Sequence, residues 1–208
     1  MSKIVFAAIS PHPPIILPSV GSEEDRFKVK KTIKALESLG EALKKENPDE
    51  IIISSPHPDW GFNVPLFFLA NGFKGEIKNY LIGSEDPDYY FLKGKKIGKE
   101  LSSLKIKNKV ALIASGDMSH RLKEDGPYGF DLDGPKFDVK LIESLKKKDL
   151  ETILKLDEAY PEAAECGLRS FVFLLGILKG SKTNYKADIL SYEGPFGVGY
   201  LVANFNLI

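Results

Sequence analysis

Three histidines carry most of the chemistry in this sequence, and they occupy equivalent places. His12 lies in Ile9-Ser10-Pro11-His12-Pro13-Pro14, His57 in Ser54-Ser55-Pro56-His57-Pro58, and His120 closes Ser115-Gly116-Asp117-Met118-Ser119-His120. Each follows a short apolar run within a few residues. Proline fixes its own φ and restricts the residue before it, so His12 and His57 are held in extended backbone. Rigid placement suits metal ligands, whose geometry must be held tightly. Two neutral imidazoles with one carboxylate make the facial triad of non-heme Fe(II), which leaves positions open for substrate and dioxygen. A third histidine off the metal is free to act as acid or base near neutral pH. The carboxylate candidates are Glu162 and Glu165, in Pro161-Glu162-Ala163-Ala164-Glu165-Cys166-Gly167, and Glu193, in Tyr192-Glu193-Gly194-Pro195. Asp117, three residues before His120, either orients that ring or caps the following turn.

The elements that must position these residues read as alternating buried strands and amphipathic helices. Ile4–Ile9, Ile51–Ile53 and Val110–Ala114 are continuous apolar runs, too short for helices and bounded by breakers, as expected of strands buried on both faces. Each delivers one histidine. From Glu23 to Asn47, Val29, Ile33, Leu36 and Leu43 recur at helical spacing before Pro48. A strand-rich stretch is predicted through Val64 to Leu69 and Gly75 to Ile82, then a helix from Tyr89 to Leu104. Further helices are predicted at Lys136–Lys148, Asp149–Asp157 and Ala163–Lys179, with closing strands near Ala187–Tyr192 and Gly197–Phe205. With no repeat or linker, the expectation is a single three-layer α/β domain over residues 1–208, its central sheet mostly parallel. In such sheets ligands bind outside the carboxyl ends of the strands, where all three imidazoles would project.

Composition narrows the classes of function. The chain has 208 residues, 43% hydrophobic and 28% charged, with 29 Lys plus Arg against 29 Asp plus Glu. A zero formal charge gives no electrostatic case for nucleic acid or an anionic membrane as main partner. Pro11, Pro13 and Pro14 interrupt the first apolar segment before a signal-type helix can form, and the run Phe171–Leu178 is far short of a bilayer span. The one cysteine, Cys166, excludes an internal disulfide and a multi-cysteine zinc site, and suits a reducing cytoplasm. It reads either as a small buried hydrophobe or as a soft metal ligand. A homodimer is expected on base rate alone.

Taken together, Ser10-Pro11-His12-Pro13-Pro14, Ser55-Pro56-His57, Ser115-Gly116-Asp117-Met118-Ser119-His120-Arg121-Leu122 and Glu165-Cys166-Gly167-Leu168-Arg169-Ser170 resemble the LigB superfamily of class III extradiol ring-cleavage dioxygenases. The short proteins associated with the AmmeMemoRadiSam group are the most similar subgroup. Gly126-Pro127-Tyr128-Gly129-Phe130-Asp131, Phe137-Asp138 and Glu193-Gly194-Pro195-Phe196-Gly197-Val198-Gly199-Tyr200 look like the same subgroup. The resemblance implies a LigB-like fold and an Fe(II) enzyme that opens a catechol-like ring with O2. It implies His12, His57 and Glu165 as metal ligands and His120 as acid and base, with Asp117 supporting it. Arg121, Tyr128 and Glu193 are candidates for the substrate pocket, and Trp60, Phe62 and Phe130 could wall a planar ring. The Memo proteins of the same superfamily offer a second expectation. In them a cysteine followed by glycine completes a metal pocket, which Cys166-Gly167 matches, with copper or zinc as alternatives to iron.

Overall fold

The computed structural model describes residues 3–103 and 108–208. The predicted helix end at Leu104 lies outside the described residues. Six strands, β1 (Lys3–Ser10), β2 (Glu50–Ser55), β3 (Glu76–Leu81), β4 (Lys109–Ser115), β5 (Tyr185–Glu193) and β6 (Tyr200–Leu207), form one sheet in the order β3-β2-β4-β1-β6-β5. The first four strands are parallel, and β6 runs antiparallel to both β1 and β5. The strands that deliver the three histidines are therefore immediate neighbours, with β4 flanked by β1 and β2.

The described helices are α1 (Glu23–Lys28), α2 (Lys30–Glu46), α3 (Trp60–Leu69), α4 (Pro87–Ser103), α5 (Asp133–Lys147), α6 (Leu150–Leu154), α7 (Leu156–Ala159) and α8 (Leu168–Gly180), with 3₁₀ turns at Pro14–Ile16 and Pro161–Ala163. Alternate residues of the central strands feed two separate cores, the three-layer arrangement expected. Val110, Leu112 and Ala114 of β4 pack with α4, α5 and α8, through Phe91, Phe137 and Phe173. Ala111 and Ile113 pack on the opposite face with Leu36, Leu39, Phe62 and Leu69 of α2 and α3. That period of two is what a strand covered on both faces requires.

Several predicted boundaries are corrected. Val64–Leu69, read as strand, lies in helix α3. Its residues are apolar nearly all round, so no stripe marks the helical period, and Pro65 inside it reads as a breaker. The helix tolerates Pro65 because the carbonyl of Gly61, deprived of its usual i→i−4 donor, is satisfied elsewhere: the Ser115 hydroxyl donates to it. The helix predicted from Ala163 begins only at Leu168. Ala164 sits at φ 53°, in the left-handed region, which ends the preceding turn and leaves Glu165-Cys166-Gly167 as a connecting loop. The predicted helix over 23–47 breaks at Val29, and that over 149–157 breaks at Lys155.

Candidate metal centre at the strand ends

His12, His57, His120, Asp117 and Cys166 come together above the carboxyl ends of β1, β2 and β4. Among the described residues, one ligand atom from each of His12, His57 and Cys166 lies within 4.8 Å of the others, and the same holds for Asp117, His120 and Cys166. The Cys166 thiol is common to both groups. Its loop reaches the site because Gly167 lies directly on Gly116: a Cβ on Gly116 would stand 2.3 Å from the Gly167 Cα. The backbones are then tied by Gly167 N–H donating to Asp117 O at 2.9 Å, and Asp117 N–H donates to Cys166 Sγ at 3.3 Å.

The tautomer of His12 follows from its neighbours. Ser115 has one hydroxyl proton, and the Gly61 carbonyl freed by Pro65 takes it. The Ser115 Oγ, 2.9 Å from His12 Nδ1, must then accept, so His12 carries its proton on Nδ1. The Nε2 lone pair is left facing the cluster, 3.5 Å from Cys166 Sγ. His12 is only 2% exposed, and burial, with His57 edge-on at 5.1 Å, pushes its imidazolium down to about 3. The Asp117 carboxylate 3.8 Å from Nε2 therefore faces a neutral ring, and the contact is not an ion pair. Asp117 also accepts the His12 backbone N–H at 3.0 Å, and its own burial raises it to about 6. Ser115→Ala removes the acceptor that fixes this tautomer and also the donor to Gly61 O; we expect metal affinity to fall by about 10–100-fold and stability by about 1–3 kcal/mol, the chain still folding. Metal titration with unfolding followed by circular dichroism checks both halves of that statement.

His120 is held from its backbone. Its N–H donates to Ala163 O at 3.1 Å, and the flanking residues are stitched to the last loop by Met118 N–H to Gly199 O and Gly199 N–H to Ser119 O, each 2.8 Å. Beneath the turn, the fully buried Asp138 accepts Ser119 N–H at 2.8 Å and the Tyr192 hydroxyl at 2.6 Å. His120 Nε2 is buried without a hydrogen-bond partner, and desolvation holds its imidazolium below the ordinary range despite Asp117. The Tyr128 ring lies 4.9 Å from His120 and the Trp60 ring 5.0 Å from His57, both substantially exposed.

Burial raises Asp138 from its ordinary 3.8 to about 7. A carboxyl whose folded value is raised stabilises the fold when protonated, and that contribution is lost as pH rises from about 4 to about 7. Asp138→Asn keeps an acceptor for Ser119 N–H and carries no charge. We expect it to gain stability relative to the native chain across that window, by up to a few kcal/mol. Urea unfolding between pH 4 and 8 checks this; a pH-independent difference contradicts it.

Three candidates stand elsewhere. Glu165 does not turn toward the histidines: its carboxylate accepts Leu168 N–H at 2.6 Å and pairs with Arg169 at 3.3 Å, capping α8, and Cys166 occupies the cluster in its place. Glu193 accepts both Thr32 N–H and the Thr32 hydroxyl at 2.8 Å, fixing β5 to the first turn of α2 rather than lining a pocket. Arg121 is engaged by Glu162 at 2.9 Å and faces Asp131 at 3.9 Å. Sequence reasoning missed the role of Ser115, whose proximity to His12 depends on pairing between β1 and β4. It also missed Asp138, present in Phe137-Asp138 but without a partner visible in sequence. A surface concavity of about 880 Å³ lies away from the cluster, around Gly40, Lys44, Phe68 and Phe73.

The mixed, mostly parallel α/β sheet is the fold that the LigB resemblance implied, and family comparison supports that resemblance. Residues 57–203 match the model of the catalytic LigB subunit of aromatic ring-opening dioxygenase, and the chain belongs to that family. Among individual proteins it is similar to Protein CA_C1420 of Clostridium acetobutylicum, 31% identical over 91% of this chain and 55% of that protein. The chain thus spans about half the length of this relative. Among solved structures it is similar to the uncharacterized protein JW3007 from Escherichia coli K12, with a TM-score of 0.63 and 14% identity over 97% of this chain and 99% of that one, a likeness of fold.

Proposed function

We propose that this protein is a metal-dependent oxidoreductase of the extradiol dioxygenase type, using Fe(II) and O2 on a small aromatic diol. In this reading His12, His57 and Cys166 hold the metal and His120 serves as acid and base. The observation that carries it is the convergence of His12, His57 and Cys166 at the ends of β1, β2 and β4, with His120 and Asp117 meeting the same thiol from the side of β4. The donor set suits a transition metal: two imidazoles, one kept neutral by burial, and a thiol that the bound cation would deprotonate. A bound Fe(II) supplies an acidic site for the diol hydroxyls and a redox partner for dioxygen.

The protein's own part follows from its contacts. His12 and Ser115 fix one ligand nitrogen in its acceptor form. His120, neutral and with Nε2 unpartnered, can take a hydroxyl proton from the substrate and return it later. Trp60 and Tyr128 flank the two outer histidines and offer faces to a flat ring. A second reading is favoured by one observation, the presence of Cys166 rather than Glu165 in the cluster: a Memo-like redox or partner-binding protein holding copper, zinc or iron without ring cleavage. Anaerobic loading with Fe(II), followed by oxygen uptake against a panel of catechols, separates the two. Iron-dependent uptake with a yellow ring-opened product is expected; tight metal binding without uptake overturns the dioxygenase reading in favour of the second.

A further inference from the structure

Arg169 stands where the helix dipole disfavours a cation. It is the second residue of α8, at the end that attracts anions, and no acidic residue shares that first turn. Its side chain is nevertheless largely buried and is engaged on all three nitrogens. One terminal nitrogen meets Glu165 at 3.3 Å, the other meets Asp157 at 2.9 Å, and Nε donates to the Glu85 carbonyl at 2.7 Å. These acceptors belong to three separate segments: the loop that carries Cys166, helix α7, and the turn between β3 and α4. Glu165 is held as completely. One carboxylate oxygen accepts Leu168 N–H at 2.6 Å and the other meets Arg169, with only 8% of the side chain exposed. Glu165 also directly precedes Cys166, whose Sγ is common to both groups of converging ligand atoms.

From this we infer that Arg169 is a positioning residue for the metal centre: it holds the Glu165 carboxylate away from the cluster and so leaves the third ligand position to the Cys166 thiol. The inference rests on the reading of His12, His57 and Cys166 as that centre. The turn at Ala164 and the Gly116–Gly167 contact aim the thiol at the histidines. A divalent cation there competes with Arg169 for the adjacent carboxylate, and the guanidinium keeps the arrangement against that pull. Without Arg169, Glu165 is a buried charge that has lost its partner, a costly state that it leaves by turning to the remaining cation. Asp157, on the exposed side of the guanidinium, is solvated more readily when unpaired. Exchange of thiolate for carboxylate also turns a site from softer metals toward harder ones.

Cobalt(II) tests this without turnover, because a bound thiolate gives a near-ultraviolet charge-transfer band that imidazole and carboxylate do not. The full chain is loaded anaerobically with Co(II) as the native protein, Arg169→Gln, Arg169→Lys and the double variant Glu165→Gln/Arg169→Gln, with folding followed by circular dichroism. The band should fall by about half or more in Arg169→Gln, as the carboxylate displaces the thiolate. It should persist in Arg169→Lys, which keeps a positive charge beside Glu165. It should return to native intensity in the double variant, where an amide replaces the competing carboxylate. A loosened loop, by contrast, would not be restored by a second substitution within it. The double variant removes both members of the pair, so it folds even where Arg169→Gln does not, and it keeps the test decisive. A native band in folded Arg169→Gln, or a missing band in either of the other two variants, overturns the inference and leaves the metal centre standing. A native protein that binds Co(II) without a thiolate band, or binds none, overturns the centre itself, and the role of Arg169 falls with it.

Discussion

Replacing either His12 or His57 by alanine should reduce metal affinity by more than about 100-fold, because even partners outside the ligand set cost 10–100-fold when removed. The two variants differ in what else they lose. His57 is partly exposed, and its backbone N–H is tied to Ser55 Oγ at 3.1 Å independently of the ring, so His57→Ala should fold as the native chain does. His12 is buried, and its ring packs at the strand ends against Ser115, His57 and Asp117, so His12→Ala should also lose about 2–4 kcal/mol of stability. Equilibrium metal titration with unfolding curves on the same samples reads both effects. Undiminished affinity in His57→Ala contradicts its assignment as a ligand.

His120→Ala should behave oppositely, keeping the metal and losing turnover by about 10²–10⁴-fold, the range for removing a positioned acid or base. Its backbone N–H donates to Ala163 O, and its neighbours Met118, Ser119 and Leu122 bond to residues 197–199, so the histidines that follow β1 and β2 do not depend on its ring. Oxygen-uptake kinetics on the iron-loaded variant, with metal content measured alongside, check the division of labour. Retained kcat with full metal content removes the acid–base role.

Much of this arrangement was readable before any coordinates. The strands ending at Ser10, Ser55 and Ser115 announced themselves as short apolar runs closed by breakers, and each led to a histidine. Their parallel neighbouring order could not be read, because strand order depends on how α2 and α4 cross the sheet. Helix α3 was read as strand because an element apolar on every side shows no period, and Pro65 hid the rest. The ligand set was legible by type and not by choice. Glu165 and Cys166 are adjacent in sequence, and only the left-handed turn at Ala164 and the Gly116–Gly167 contact determine that the thiol faces the histidines while the carboxylate caps α8. Asp138 and Ser115 were visible residues without visible partners, since each acts across more than 50 positions or between elements far apart in the chain.

The central claim is that the metal is held by His12, His57 and Cys166. X-ray absorption at the metal edge of the zinc- or iron-loaded protein tests it most directly. The account predicts a sulfur shell, at about 2.3 Å for zinc, together with imidazole scattering, and loss of the sulfur shell in Cys166→Ser. A shell of nitrogen and oxygen alone in the native protein, changed by Glu165→Gln and unaffected by Cys166→Ser, would contradict it.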